Sequence, residues 1–429
     1  MPARPDRSAP PRPPTSPAVV RHAAFAVAAP GLAPLVADEL HALGFHALRV
    51  EDAGVAFEAT PERLMRANLW LRTASRVVVR LADVPATSFR ELEALARRVR
   101  WETVLAPGRA VRIRVTCRKS RLYHSDAVAE RVAAAIVRAV AGVTIVVGGG
   151  DDERDGADEG PDLAADAAGG GAPGARGAAP NDRTDDAQLI VVRLFHDRCT
   201  ISADSSGALL HRRGYRQAVT RAPLRETLAA ALLAAAGYDG SAPLLDPLCG
   251  SGTIPIEAAL IARRLAPGRH RAFAFERWPG HDADAWRALL ADADARALPR
   301  APHPILASDR DAGAVRAARA NAERAGVADD VTFAERALSA VAPPEGAVGW
   351  LVANPPYGKR VGESGALRDL WARLGDVLRV RCPGWRVVLL GPDPMLERQL
   401  RLPLDVALRT SNGGLPVRVL AGVVPTAHA

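Results

Sequence analysis

Apolar positions along this chain repeat with two periods, and segments of each kind take turns. A short strand at Phe25 leads into the helical run LAPLVADELHALGF (32–45), and strand-like runs continue to Phe57. A helical segment near 61–71 precedes the strand RVVVRLADV (76–84). Segment 90–100 is again helical, and AVRIRVTC (110–117) alternates as a half-buried strand does. DAVAERVAAAIVRAVAGV (126–143) gathers Ala and Val on one helical face, and strand character returns at LIVVRLF (189–195) and CTISAD (199–204). From Ser205 the pattern predicts a helix (222–236), a strand (242–246), a helix (253–265), a strand (304–309) and a helix (312–325). Strands at 331–333 and 348–353, a helix at 366–380 and a strand at 385–390 follow. A hairpin, 404–410 and 416–424, turns around Ser411-Asn412-Gly413-Gly414. Strands alternating with helices imply an α/β fold with a doubly wound parallel sheet, to which the hairpin adds an antiparallel strand. No internal repeat is visible, and 266–303 is left as an intervening stretch with Arg271, Phe273, Phe275, Glu276 and Trp278.

Two stretches break the pattern. Residues 1–20 are rich in Pro and Arg and read as a disordered tail. Residues 148–187 are Gly-, Asp- and Ala-rich with hardly a large apolar side chain, so burial cannot offset their chain entropy. They read as a flexible insertion inside a domain, because strands resume directly after it.

A chain of 429 residues exceeds one hydrophobic core and predicts two or three domains. The net charge of +8 favours an acidic polymer as partner, although Lys119 and Lys359 are the only lysines and the Arg, Ala, Gly and Pro excess matches a GC-rich coding bias. Cys117, Cys199, Cys249 and Cys382 are scattered, with no close pair for metal ligation, and suit a reducing cytoplasm. No apolar stretch approaches the ~20 residues that span a bilayer, and the N-terminus has no secretory pattern. A cytoplasmic protein, with neither membrane nor metal partner, is expected.

The densest chemistry follows the apolar run AVGWLVA (347–353): Asn354-Pro355-Pro356-Tyr357. Such a run is a buried strand delivering a stiff polar turn to the sheet edge. The Asn354 side-chain oxygen and the Pro355 carbonyl are two acceptors, and proline contributes no donor. Two acceptors suit an amino group conjugated to a planar ring, whose lone pair must be aimed at an electrophile; Tyr357 is placed to stack on that ring. A plain proline turn is the alternative.

A second constellation lies in LLDPLCGSGTIPIEAA (244–259), a strand, a glycine turn and a helix. Gly250 and Gly252 let the backbone approach a ligand where the next helix offers free N–H groups. A nicotinamide or flavin site competes with this reading, but Pro255 stands where the third glycine belongs. Asp246 would also repel a pyrophosphate, whereas it suits a cationic group such as the ammonium of S-adenosylmethionine; a capping role is its alternative. The next strand ends at Asp309, placed to accept from ribose hydroxyls; capping the following helix is the alternative for both Asp309 and Asp311, more readily for Asp311.

With these motifs in order, the chain resembles a class I S-adenosylmethionine-dependent amino-methyltransferase. HRRGYRQAVTRAPLRETLAAALL (211–233), DPLCGSGTIPIEAA (246–259), RAFAFERW (271–278), ANPPYGKRVGE (353–363) and SNGGLPV (411–417) resemble the THUMP-domain methyltransferases, most closely the bacterial 23S rRNA guanine-N2 methyltransferase family. PGLAPLVADELHALGF (30–45), ANLWLRTASRV (67–77) and RVRWETVL (98–105) are similar to that family's ferredoxin-like and THUMP segments. The resemblance covers about 22–424 without the insertion. It implies a ferredoxin-like segment at 21–66, a THUMP domain at 67–204 and a Rossmann-like methyltransferase domain at 205–429. It implies that Asp246, Gly250, Ser251, Gly252, Thr253 and Asp309 hold the cofactor and that Asn354, Pro355, Pro356 and Tyr357 hold the base. Pro223 and Leu224 border the cofactor in this reading or merely start a helix. Ala337 replaces an aspartate often found near the adenine, so that contact is unassigned. The second methyltransferase domain of some relatives is not matched, and a second activity is not expected.

The implied partner is RNA, as 23S rRNA or a ribosomal precursor, with the target guanine single-stranded or flipped. Candidate phosphate contacts are Arg112, Arg114, Arg118, Lys119, Arg121, Arg212, Arg213 and Arg216; for each, a solvated surface charge is the alternative. Seven Trp, four Tyr and eight Phe are too few for an extended stacking platform. Other readings are a tRNA guanine-N2 methyltransferase, a DNA adenine-N6 methyltransferase, a non-catalytic RNA-binding assembly factor and a nicotinamide oxidoreductase. Oligomeric state is left open.

Overall fold

Two sheets, each with its own set of helices, make up the computed structural model, which describes residues 21–146, 186–217, 224–357 and 364–426. The tail 1–20, residues 148–185 of the expected insertion, and Pro223 lie outside the described residues. Among the described residues no helix is long and apolar enough to cross a membrane.

The N-terminal half runs His22–Ala28 (β1), Ala33–Ala42 (α1), Arg49–Glu51 (β2), Gly54–Ala59 (β3), Pro61–Trp70 (α2) and Ala74–Pro85 (β4). It continues through Phe89–Arg98 (α3), Ala110–Arg118 (β5), Ser125–Ala139 (α4), Thr144–Val146 (β6), Gln188–Phe195 (β7) and Arg198–Asp204 (β8). These strands form one eight-stranded sheet in the order β2-β3-β1-β4-β8-β7-β5-β6. The sheet is continuous because β4 pairs with both β1 and β8. Alternation gives it two faces. Ala24, Ala26, Val77, Val79, Val192 and Ile201 join the main core with the apolar sides of α1–α4, while Phe25, Val27 and Val78 form a small cluster on the other face.

The C-terminal half runs Glu226–Ala236 (α5), Leu244–Asp246 (β9), Thr253–Ala262 (α6), Ala283–Ala295 (α7), Ile305–Asp309 (β10), Ala312–Ala325 (α8) and Val331–Glu335 (β11). Trp350–Ala353 (β12), Ser364–Arg381 (α9), Arg386–Gly391 (β13), Pro394–Glu397 (α10), Asp405–Asn412 (β14) and Leu415–Val423 (β15) complete it. The strand order β11-β10-β9-β12-β13-β15-β14 is doubly wound, with β15 antiparallel to β13 as the hairpin predicts. The chain leaves β9 toward β10 and β11, then returns to its other side at β12, so a switch point opens beyond the carboxyl ends of β9 and β12. The hairpin loop is Gly413-Gly414 alone, both at positive φ, and the strands extend to Asn412 and Leu415.

One element was not expected. The intervening stretch contains α7, capped by Asp282 and burying Trp286, Leu289 and Ala293. The main core continues through both halves, and backbone bonds such as Gly268 N–H to the Leu69 carbonyl (3.0 Å) join them.

Candidate active site

Three strand ends meet at the switch point. β9 pairs in parallel with β10 and β12, Ala307 opposite Asp246 and Leu351 opposite Leu245, so Asp246, Asp309 and Asn354 emerge along one edge of the sheet. The turn after β9 is shaped by its glycines: Gly250 and Gly252 have φ of +52° and +86°. A Cβ at Gly252 would lie 2.9 Å from the Ala318 Cβ, so only glycine lets the turn pack on α8. Ser251 and Thr253 are buried within the turn and the first position of α6.

Asp246 is buried; its Oδ1 accepts from the Leu248 N–H at 3.1 Å, and its Oδ2 has no hydrogen-bond partner. Burial pushes this carboxyl up to about 8, the Leu248 bond pulls it down, and the nearby Asp309 charge raises it. A buried carboxylate oxygen with nothing bound to it fits a cationic ligand group. Asp309 accepts from the Gly250 N–H and, on its other oxygen, from the Asp311 N–H, both at 3.0 Å. Asp311 caps α8 through the Gly313 and Ala314 N–H groups, the role its position predicted.

Beyond β12, Asn354 is half-buried and its Oδ1 is buried without a hydrogen-bond partner. An amide oxygen in that state is an acceptor waiting for N–H donors. Pro355 is buried, while the Pro356 carbonyl accepts from the Trp371 Nε1–H at 3.3 Å, which pins the turn to α9. Tyr357 is half-buried, and its hydroxyl is hydrogen-bonded by the Asn412 amide at the tip of the β14–β15 hairpin. The cofactor-type turn and the acceptor turn therefore share one edge.

Two supporting residues escaped the sequence reading. Asn321, fully buried on α8, donates to the Ser251 carbonyl at 3.0 Å and accepts from the Gln217 N–H at 3.3 Å. Asn412 was legible only as a turn residue. An amide on the otherwise Ala-rich face of α8 was the sole signal for Asn321.

The basic candidates separate. Arg213 is not placed for phosphate: its side chain is 1% exposed and ion-paired to the equally buried Glu257, whose other oxygen accepts from the Tyr215 hydroxyl at 2.9 Å. Arg216 is likewise spent inside, paired with Glu226 at 3.3 Å and donating to the Leu224 carbonyl at 2.7 Å. Arg212 is half-buried, next to the buried His211. Arg112, Arg114 and Arg118 lie on β5 with partly exposed side chains, and Lys119 and Arg121 are exposed beyond its end.

Comparison with known proteins accords with this layout. Residues 213–417 match the RMKL-like methyltransferase domain, 23–78 the RlmL ferredoxin-like domain and 86–146 the THUMP domain. A Synechocystis protein to which RNA methyltransferase activity is ascribed by name is 34% identical over 397 residues, covering 92% of this chain and 95% of that protein. The ribosomal RNA large subunit methyltransferase K/L of Syntrophotalea carbinolica is 36% identical over 408 residues, 92% of this chain but 53% of the relative, so the chain spans about half of that protein. The crystal structure of SMU.472, named a methyltransferase and complexed with SAH, superposes with a TM-score of 0.78 at 27% identity, covering 95% of this chain and 99% of that one. The chain belongs to the family of S-adenosylmethionine-dependent methyltransferases that join an RMKL-like catalytic domain to ferredoxin-like and THUMP domains.

Proposed function

We propose that this methyltransferase modifies the exocyclic N2 amine of a guanine in RNA, with 23S rRNA or a ribosomal precursor as substrate, in the cytoplasm. The observation that carries the choice of an amine is the buried, unpartnered Oδ1 of Asn354 at the strand edge shared with Asp246. When bound, S-adenosylmethionine supplies a methyl group on a sulfonium leaving group. The Asn354 Oδ1 and the Pro355 carbonyl accept the two N–H bonds of the amine and so direct its lone pair. Tyr357, tethered to Asn412, offers its ring to the base. Asp246 and the glycine turn hold the cofactor's charged end, and Asp309 its sugar. Alignment and desolvation are the protein's contribution, and the proton of the methylated amine leaves to water or a neighbouring acceptor. RNA is favoured over DNA by the match to a THUMP domain and by relatives whose names give RNA or ribosomal RNA methylation.

The experiment is mass spectrometry of nucleosides from 23S rRNA, tRNA and DNA of a strain lacking the gene. Loss of N2-methylguanosine from 23S rRNA alone is expected. Its loss from tRNA, or loss of N6-methyladenine from DNA, would move the substrate accordingly.

A further inference from the structure

The turn that joins β1 to α1 reaches across to the last hairpin of the other sheet. Ala29-Pro30-Gly31-Leu32 is closed by the Leu32 N–H donating to the Ala29 carbonyl at 3.0 Å. Proline followed by a glycine at φ +77° is the pattern of a type II turn, whose third residue takes positive φ. Glycine is required here for a second reason. A Cβ at Gly31 would lie 1.9 Å from the Arg409 carbonyl oxygen and 3.1 Å from its carbon. The glycine backbone therefore rests directly on the backbone of β14.

β14 is the edge strand of its sheet, so what lies against its outer side helps decide where it sits. Its register with β15 slips between Val406 and Leu408, then runs unbroken from Leu408 to Asn412. Arg409 and Asn412 thus belong to one regular stretch of strand, and the Asn412 amide holds the Tyr357 hydroxyl. A second support runs in parallel: α1 packs on α5, and α5 packs on both β14 and β15. Gly31 comes from the segment matched to the ferredoxin-like domain and Arg409 from the segment matched to the methyltransferase domain.

Holding the two halves together does not require this contact. The shared core does so already, with bonds such as the Arg72 guanidinium to the Leu265 carbonyl at 2.7 Å. What the Gly31 contact adds is a fixed seat for the strand that carries the tether. We propose that Gly31 is a positioning residue for methyl transfer: the β1–α1 turn seats β14 and, through Asn412, sets the ring of Tyr357. This rests on the reading that Tyr357 meets the base.

The test uses the full chain labelled with 3-fluorotyrosine, whose four tyrosines give four fluorine signals. The Tyr357 signal is assigned by its loss in Tyr357→Phe. In Gly31→Ala that signal should shift, while those of the buried Tyr215 and Tyr238 keep their places. Single-turnover methylation of 23S rRNA should slow about three- to tenfold, as for one lost neutral hydrogen bond, with S-adenosylmethionine and RNA affinities at their wild-type values. Adding Gly31→Ala to Asn412→Ala should cost no more than Asn412→Ala alone. Gly44→Ala is the control: Gly44 has φ of +82° in the same half, but a Cβ there meets nothing within 4 Å. Strain without the contact should leave both signal and rate unchanged. If Gly31→Ala does not fold, Pro30→Ala, which loosens the turn without adding an atom, should broaden the Tyr357 signal; an unchanged signal there would overturn the proposal. An unmoved signal and rate in folded Gly31→Ala, or equal disturbance by Gly44→Ala, would overturn it and leave the reading of Tyr357 intact. A shifted signal with wild-type rates in both Gly31→Ala and Tyr357→Phe would overturn the proposal together with that reading.

Discussion

The backbone N–H of Gly250 donates to the Asp309 carboxylate at 3.0 Å, so the residue proposed to hold the cofactor's sugar also holds the glycine turn. Its second oxygen takes the Asp311 N–H. Asp309→Asn replaces one acceptor with a donor and must break one of the two bonds. With charged hydrogen bonds contributing about 1.5–3 kcal/mol, S-adenosylmethionine affinity should fall roughly ten- to hundredfold. Calorimetric titration with the cofactor measures this, and RNA affinity should stay at the wild-type value. An unchanged cofactor affinity would remove Asp309 from the site.

With Asp246 as the partner of the cofactor's ammonium, cofactor binding should depend on pH. Its carboxyl is pushed up to about 8 by burial, whereas it ionises near 3.9 in the unfolded chain. Between those values the folded state keeps a proton that the unfolded state has lost, so the free protein loses stability as pH rises through that window. An ammonium needs the anionic carboxylate, so binding at about pH 6 to 7 should release close to one proton, and affinity should weaken by up to about tenfold per unit below 8. Above about 8 the cofactor's own amine deprotonates and affinity falls again. Calorimetry in buffers of different ionisation enthalpy counts the proton. Asp246→Asn should abolish the release, bind the cofactor poorly, and flatten the stability decline of the free protein.

On the proposed mechanism, Asn354→Ala removes the acceptor that aligns the amine. Loss of one such preorganised contact is worth roughly 2.7–4 kcal/mol, so kcat should drop about a hundred- to a thousandfold with little change in RNA affinity. Single-turnover methylation against a binding titration separates the two. Equal losses in both would show that Asn354 serves binding instead.

How far the sequence foretold this site depends on how local each signal is. The strand-end positions of Asp246, Asp309 and Asn354 were legible because Asp246 and Asp309 close their apolar strands and Asn354 follows one, each within its own window. The hairpin was legible from Gly413-Gly414 for the same reason. Asn321 and Asn412 were not, because their partners Ser251 and Tyr357 lie 70 and 55 residues away. Arg213 was misread since its burial depends on Glu257, 44 residues distant. Arg112 and Arg114, two residues apart on β5, share a strand face on sequence grounds, and only the pairing with β7 adds Arg193 to it.

Arg213 and Glu257 offer a direct check on that correction. Removing one member of a buried pair strands the other charge at a cost of about 3–5 kcal/mol. Arg213→Ala should therefore lower the denaturant midpoint strongly. The salt slope of RNA binding, measured where the variant is still folded, should match wild type. A reduced slope with unchanged stability would restore Arg213 as a phosphate contact.

Asn412 and Tyr357 should act as one unit. The Asn412 amide holds the Tyr357 hydroxyl from the tip of the sheet's last hairpin, and so fixes the direction of the ring proposed to meet the base. Tyr357→Phe keeps the ring and loses the tether; Asn412→Ala loses the tether from the other side. Each should lower kcat by a similar factor, about three- to tenfold for one neutral hydrogen bond. The double variant should then be no worse than either alone, because both remove the same contact. Tyr357→Ala, which removes the ring itself, should exceed them. Additive losses in the double variant would mean that Asn412 reaches the reaction by a route other than Tyr357.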